Sequence, residues 1–542
     1  MKEKANKVFK FLLQEKFLFL IVTFFTLIPV LIFHFFPTMD GAAHLYNSNL
    51  LNEILFGSNE TLSNFFLLNN KPVPNLTGHV ILSFFNLFLP AFLAEKAFLI
   101  LYVVGLSYSF RKLIVSTNKE NVFVSYFIFP FVYSFVFILG FYNFSIALVF
   151  LFITINYWIN NDSEDLGVKQ ILILFLLFSA TFFSHIFVFA ILLLSVGILF
   201  LAKNISTIYN SSSEKNLELK NSLKKLGSLC ISVAIPFALF IHYFYSRPPA
   251  NKIGHLSSAE LKENLYNFRS ILSYNSYEEN QYIEKIAYAF LLLIIVAILL
   301  RLRKLISNYQ IHKKLIGLFQ LKDLWLFIGV ILLGMYFLLP DSTSYGGFIT
   351  TRVSLILYLI IIIWISAHKI PKLITVLFSL VIIYSHFYLV SYYTSLIKNL
   401  NEVAVDCNEA SKAIEPNSVV LPLNYSKEWL ALHFSNYLGI EKPMVILDNY
   451  EAVNDYFPLK WNWPNLTSPI YDNIAKNDFL CMDSSTYLNQ EFYKVDYIFV
   501  LDDINNKNDD CSNQKKKEIF ELTDLIFENK NCKVYKFKTR EL

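Results

Sequence analysis

Long runs without a charged residue are the feature that most limits what this chain can fold into. Residues 17–39 form an uncharged run of 23 residues, and residues 121–161 and 170–202 form runs of 41 and 33. An α-helix needs about 20 apolar residues to cross a hydrocarbon core about 30 Å thick. Only 16% of the 542 residues are charged, against about 25% in soluble proteins, so an ordinary soluble enzyme is excluded.

Nine such runs predict a polytopic α-helical membrane protein with about 11 transmembrane helices, because the two longest runs each suit a helical hairpin. The runs are residues 17–39, 97–110, 121–161, 170–202, 226–246, 286–300, 324–340, 353–367 and 373–397. Residues 76–94 are uncharged too, but Pro74 and Pro90 bracket them. We expect a re-entrant or interfacial helix there, reached through an outer loop of residues 40–75.

The basic residues predict which side of the membrane each loop faces. Lys2, Lys4, Lys7, Lys10 and Lys16 precede the first run, so we expect a retained anchor with a cytoplasmic amino terminus. With eleven crossings, 22 Lys and Arg residues fall on inner segments and far fewer on the outer loops before residue 398. This pattern predicts a multi-pass protein of the cytoplasmic (inner) membrane. A net charge of only +4 gives no footprint for nucleic acid.

The same topology divides the chain into a transmembrane domain, residues 1–397, and an extracytoplasmic domain, residues 398–542. The second part combines strand-like and helix-compatible stretches, which predicts a small α/β domain. The strand-like stretches are residues 418–423, 444–447, 497–501 and 533–537, and the helix-compatible ones are residues 426–437 and 515–526.

Four of the five cysteines lie in this predicted outer domain: Cys407, Cys481, Cys511 and Cys532. An oxidising compartment would allow disulfides among them, in any of three pairings, and free thiols are the alternative. No Cys/His cluster with zinc spacing is present, nor are GxxxxGK[ST], GxGxxG or HExxH. An ATP-driven pump, a dinucleotide enzyme and a common zinc protease therefore lose support.

Asp40 is the first candidate for chemistry, because it stands directly beyond the first apolar run. Asp40 and His44 are four residues apart and would share one face of a helix. A carboxylate at a partly desolvated interface can act as a general base. The alternative is structural, since an Asp before Gly-Ala-Ala also suits the amino-terminal cap of a helix.

The predicted topology places further polar residues near the same outer face, which favours a functional cavity there. The candidates for substrate binding are His44, His79, His185, Arg247 and Arg352. Arg352 follows Gly346-Gly347, and its planar fork suits phosphate oxygens. Each candidate has a structural alternative: a histidine bonded to backbone at the interface, or an arginine that extends from a helix end to the headgroups.

These residues resemble the bacterial membrane glycosyltransferases of the GT-C fold class. The likeness rests on four segments: Met39-Asp40-Gly41-Ala42-Ala43-His44-Leu45-Tyr46, a Pro-flanked short helix from Pro72-Val73-Pro74 to Pro90, Leu93-Ala94-Glu95-Lys96-Ala97, and Gly346-Gly347 to Arg352. It covers the membrane part, about 390 residues.

The resemblance implies an active site in an outer-face cavity and a sugar donor on a polyprenyl phosphate carrier. The acceptor would be a glycan, a lipid or a protein. Asp40 would match the first-loop acid that acts as base or helps to bind a metal, and Arg352 an arginine that binds the lipid phosphate. No second acid adjoins Asp40, so a divalent metal is left open.

Two other functions remain open from the sequence. One is a transporter or flippase of lipid-linked sugars, which would share the many helices and an outer polar cavity. The other is a non-catalytic assembly protein of the same fold.

Overall fold

The computed structural model describes residues 14–161, 166–210, 215–250, 252–312, 320–466, 479–482 and 494–538. Within these ranges, ten helical segments are long and apolar enough to cross a membrane. They are Glu15–Ile32, Ala91–Thr117, Lys119–Ile138, Tyr142–Asn161, Ile186–Ile208, Asn216–Tyr245, Ser276–Gln310, Leu321–Leu338, Ile349–Ser366 and Lys372–Ala413. Val168–Ser184 is a shorter apolar helix. The ten segments confirm the character of a multi-pass membrane protein, whereas the orientation and the type of membrane stay predictions.

The two longest uncharged runs each contain a break between helices. The first breaks after Lys119–Ile138, where Gly140 adopts a φ of +84° before helix Tyr142–Asn161 begins. The second breaks at His185, whose extended backbone separates helix Val168–Ser184 from helix Ile186–Asn210. Each run therefore holds two helical segments.

The remaining α-helices of the described residues are shorter and lie outside the spanning segments. They are Gly41–Phe56, Glu60–Phe65, Thr77–Asn86, Ser258–Tyr266 and Asp510–Leu522. Helix Thr77–Asn86, within the predicted re-entrant segment of residues 76–94, has ten residues and a length of about 15 Å. It is too short to cross a bilayer, and its depth in the membrane stays a prediction.

Nine strands occur in the described residues. They are β1 (Phe66–Leu68), β2 (Ile253–Gly254), β3 (Ser342–Thr343), β4 (Val419–Asn424), β5 (Val445–Ile446), β6 (Leu459–Trp461), β7 (Tyr497–Leu501), β8 (Thr523–Glu528) and β9 (Cys532–Phe537). Five form a sheet of order β5-β4-β7-β9-β8, in which β4 is parallel to β5 and β7, and β9 is antiparallel to β7 and β8. The small carboxy-terminal sheet is confirmed, and its place outside the membrane stays a prediction.

Both helices expected in this region need correction. Residues 426–437 form two short 3-10 turns, Trp429–Ala431 and Phe434–Gly439. The helix expected over residues 515–526 ends at Leu522, and β8 begins at Thr523. Tertiary pairing overrides helix propensity there, because β8 completes the sheet against β9.

The chain forms two compact units, and both are discontinuous in sequence. The first comprises the described residues of 1–28, 101–138 and 144–392, and the second those of 29–100, 139–143 and 393–542. Ion pairs with little solvent exposure stabilise the first unit: Arg301 Nη2 lies 2.6 Å from Asp323 Oδ2, and Arg111 pairs with Glu15. The second unit packs around β4 and β7, whose apolar side chains are buried.

The cysteines of the second unit occur in two pairs. Cys481 and Cys511 form a disulfide. Cys407 and Cys532 are both buried, with their sulfur atoms 3.4 Å apart. Of the three pairings that the sequence left open, the structure contains the one that joins Cys481 to Cys511.

Candidate functional site

Asp40 occupies the cap position of helix Gly41–Phe56 but does not act as its cap. Its side chain makes no capping hydrogen bond to the first helical turn. The residue is nevertheless buried, with 6% of its surface exposed. The capping alternative raised by the sequence therefore fails, and the carboxylate is directed to other partners.

Those partners come from the carboxy-terminal part of the second unit. His433 Nε2 lies 3.8 Å from Asp40 Oδ1, and the Tyr450 hydroxyl donates a hydrogen bond to the Asp40 carboxylate. Burial lowers the pKa of His433 to about 4, so this ring is neutral at pH 7. Burial and the charges of Asp40 and Glu451 raise the pKa of Tyr450 well above 10. Its hydroxyl therefore stays protonated and donates the hydrogen bond to Asp40.

One helical turn beyond Asp40, His44 belongs to a second buried group with His79 and Glu451. His44 Nδ1 lies 2.6 Å from Glu451 Oε1, and His79 Nε2 lies 2.6 Å from Glu451 Oε2. The two ring nitrogens that face Glu451 are 3.3 Å apart. All three side chains are at least 95% buried, and their ligand atoms lie within 4.8 Å of one another. This group has the residue types and the spacing to hold a metal ion.

The two histidines and Glu451 shift each other's proton affinity. Burial by itself would raise the pKa of Glu451, but His79 and His44 outweigh it and lower that pKa to about 2. Burial opposes protonation of His44, yet Glu451, with weaker help from Asp40 and the Gly140 carbonyl, raises the pKa of His44. Glu451 is thus ionised at neutral pH, and its carboxylate favours a positive charge beside it.

The turn at Gly140 positions both Asp40 and the buried group of His44, His79 and Glu451. Its carbonyl accepts a hydrogen bond from His44 Nε2 at 2.8 Å, and the neighbouring Leu139 carbonyl accepts one from the Asp40 amide at 3.2 Å. A Cβ atom on Gly140 would lie 2.7 Å from the Asp40 nitrogen. Together with a φ of +84°, this contact requires glycine at the turn.

Pairing between distant parts of the chain brings Glu451 and His433 to the loop of residues 40–75. β1, which lies in that loop, is antiparallel to β6. Asn47 and Asn449 exchange two side-chain hydrogen bonds of 2.8 and 3.0 Å. The carboxy-terminal residues thus hold a fixed position beside Asp40 and His44.

The other predicted binding residues lie in the first unit. His185 Nε2 accepts a hydrogen bond from Arg352 Nη1 at 3.2 Å, and the Arg352 guanidinium stands 5.8 Å from the centre of the Phe144 ring. Arg247 does not share this contact. Its guanidinium stacks between Tyr243 and Tyr345, at 3.9 and 4.7 Å from the ring centres.

The sequence therefore identified only part of the buried group. Asp40, His44 and His79 come together in the second unit, and His185 and Arg352 in the first. Sequence reasoning missed Glu451, His433 and Tyr450. One signal was available: Asp448, Tyr450 and Glu451 directly follow the correctly expected strand at β5, and polar residues after a strand end often form sites.

Asp448 gives this region a pH dependence. Burial raises its pKa to about 6, even though Ser435 Oγ donates a hydrogen bond to it at 2.5 Å. The folded state therefore holds this proton more tightly than the unfolded state, whose Asp pKa is about 3.9. Stability contributed by this group is present below about pH 4 and is lost as pH rises to about 6, by roughly 3 kcal/mol in total.

We expect the Asp448→Asn substitution to remove this dependence. Thermal unfolding in detergent should show the variant gaining stability relative to the parent between pH 4.5 and pH 7. Asp455→Asn changes an exposed residue of the same unit. Its stability should differ from that of the parent by the same amount at every pH. An equally constant difference for Asp448→Asn would contradict the raised pKa.

No protein-family model, curated protein or solved structure matches this chain.

Proposed function

We propose that this protein is a membrane glycosyltransferase that moves a sugar from a polyprenyl-phosphate carrier to an acceptor at the outer face of the cytoplasmic membrane. The observation that carries the proposal is the position of Asp40. It follows the first apolar helix, which ends at Ile32, and it is buried, does not cap the next helix and lies beside a neutral histidine. The acceptor class, whether glycan, lipid or protein, is left to experiment.

Asp40 is the proposed general base. The acceptor hydroxyl would give its proton to the Asp40 carboxylate while its oxygen forms the bond to the anomeric carbon of the sugar. The bond from that carbon to the phosphate oxygen would break, and the lipid phosphate would leave with the electron pair. The hydrogen bond from Tyr450 orients the carboxylate, which is the positioning that general-base catalysis needs.

A lipid-linked donor agrees with the rest of the chain. Ten apolar helices provide a large bilayer surface, and the sequence lacks the glycine-rich loops that hold nucleotide phosphates. Arg352, bonded to His185 in the first unit, stays the sequence-based candidate for binding a phosphate group, because a guanidinium binds phosphate oxygens bidentately.

The test is donor turnover by purified protein in detergent. Polyprenyl phosphates that carry different labelled sugars are supplied with acceptor mixtures, and the same sugars linked to nucleotides serve as the comparison. We expect consumption of at least one lipid-linked donor and of no nucleotide-linked donor.

Two results would overturn the proposal. Turnover restricted to nucleotide-linked sugars would assign a different donor class. If no donor is consumed, movement of the labelled lipids across reconstituted vesicles would indicate the transporter reading, and an absence of both activities would indicate an assembly protein.

A further inference from the structure

The buried group of His44, His79 and Glu451 brings two ring nitrogens to within 2.6 Å of the oxygens of one carboxylate. His44 Nε2 faces the Gly140 carbonyl oxygen at 2.8 Å; because this oxygen only accepts, Nε2 must carry a proton. An imidazole with this single N–H keeps a lone pair on Nδ1 that a metal ion can use, whereas a protonated imidazole donates Nδ1–H to Glu451 Oε1, 2.6 Å away. Within the described residues, that oxygen has no hydrogen bond of good geometry. Either a proton or a metal ion can therefore balance the charge of the Glu451 carboxylate at this position.

The spacing of the nitrogens fits a metal ion. His44 Nδ1 and His79 Nε2 are 3.3 Å apart. Two nitrogens bound to one tetrahedral zinc ion at about 2.0–2.1 Å would be about 3.3–3.4 Å apart. The Glu451 carboxylate faces both nitrogens with one oxygen each, at 2.6 Å, so a single ion can contact all three side chains once these two distances open to about 3.3–3.4 Å.

The surroundings support His44 as a metal ligand. A metal-binding histidine usually donates its other ring N–H to a carbonyl or carboxylate, and His44 donates to Gly140. The carboxylates of Glu451 and nearby Asp40, which acts electrostatically on His44, would balance the charge of a divalent ion.

The geometry points to a binding site for a divalent transition metal of the zinc class, with His44 Nδ1, His79 Nε2 and the Glu451 carboxylate as ligands. Three protein ligands leave a fourth position for water or another oxygen, as in catalytic zinc sites. The inference goes beyond the proposed sugar transfer and does not depend on it. It also differs from the metal role that the resemblance implies for Asp40, because the ligands are two histidines and a distant glutamate.

The test measures metal bound to the full chain, purified in detergent through a tag without histidines. The protein is stripped with a chelator, incubated with zinc, passed through gel filtration and analysed for metal. We expect about one zinc ion per chain, and visible absorption of a low-symmetry site when cobalt replaces zinc. His44→Ala, His79→Ala and Glu451→Gln should each lower the retained metal at least tenfold.

Two further variants separate loss of a ligand from loss of the fold. His79→Cys supplies a thiolate in place of an imidazole and should keep the metal, whereas His79→Ala should not. His255→Ala, at an exposed position, should bind as the parent does. A parent chain without zinc after incubation would overturn the site and favour a proton-only ion pair, and full metal content in the monodisperse Ala and Gln variants would do the same.

Discussion

Asp40→Asn is expected to abolish sugar transfer while the protein stays folded. The amide has nearly the same shape as the carboxylate and can still accept the hydrogen bond from Tyr450, but it cannot take a proton from the acceptor. Loss of a general base typically lowers the rate by about 10²–10⁴-fold. Stability should change little, because the Asp40 side chain makes no capping hydrogen bond. The measurement is the initial rate of donor consumption under saturating donor.

Two variants make this result specific. Asp455→Asn removes an exposed carboxylate from the same unit and should keep the parent rate. Asp40→Glu retains a base at a displaced position and should recover part of the activity lost in Asp40→Asn. Turnover that survives in Asp40→Asn would remove Asp40 from the mechanism.

Gly140→Ala is expected to cause a large loss of stability in the second unit. The added methyl would lie 2.7 Å from the Asp40 nitrogen and 2.8 Å from the Asp40 Cβ, at a residue whose φ is +84°. A left-handed backbone costs an ordinary residue about 1–2 kcal/mol, and forced overpacking adds about 1–3 kcal/mol. We expect the free energy of unfolding to fall by about 2–5 kcal/mol, visible as a lower midpoint of thermal unfolding.

The matched control is Gly197→Ala. Gly197 lies within helix Ile186–Asn210, and a Cβ atom there would meet no described atom within 4 Å. Alanine favours a helix over glycine by up to about 1 kcal/mol, so this variant should be as stable as the parent or more so. Equal stability of Gly140→Ala and the parent would show that the turn tolerates a side chain.

The apolar helices could be predicted because one local property decides them. An uncharged run of sufficient length has few alternatives to a membrane-spanning helix, and the breaks at Gly140 and His185 fall inside the two runs that were too long for one helix. Likewise, the four-residue spacing of Asp40 and His44 predicted that they lie close together, and they occupy the cap position and the first turn of one helix.

Glu451, His433 and Tyr450 could not be predicted as partners because their position depends on tertiary pairing. Hundreds of residues separate them from Asp40, and no local pattern indicates that β6 pairs with β1. The helix expected over residues 426–437 does not form, for a related reason. Ser435 and Asn436, which lie in this stretch, donate side-chain hydrogen bonds to Asp448, and these tertiary contacts replace a regular helix.

The pairing of β1 with β6 has a consequence for biosynthesis. Asp40 leaves the ribosome early, whereas Glu451 follows it after about 400 residues, which takes about 20–80 s at about 5–20 residues per second. Throughout that interval the nascent chain holds His44 and His79 without the glutamate that joins them. The buried group therefore cannot form on a chain whose synthesis stops early. It forms only after translation has passed the last apolar helix.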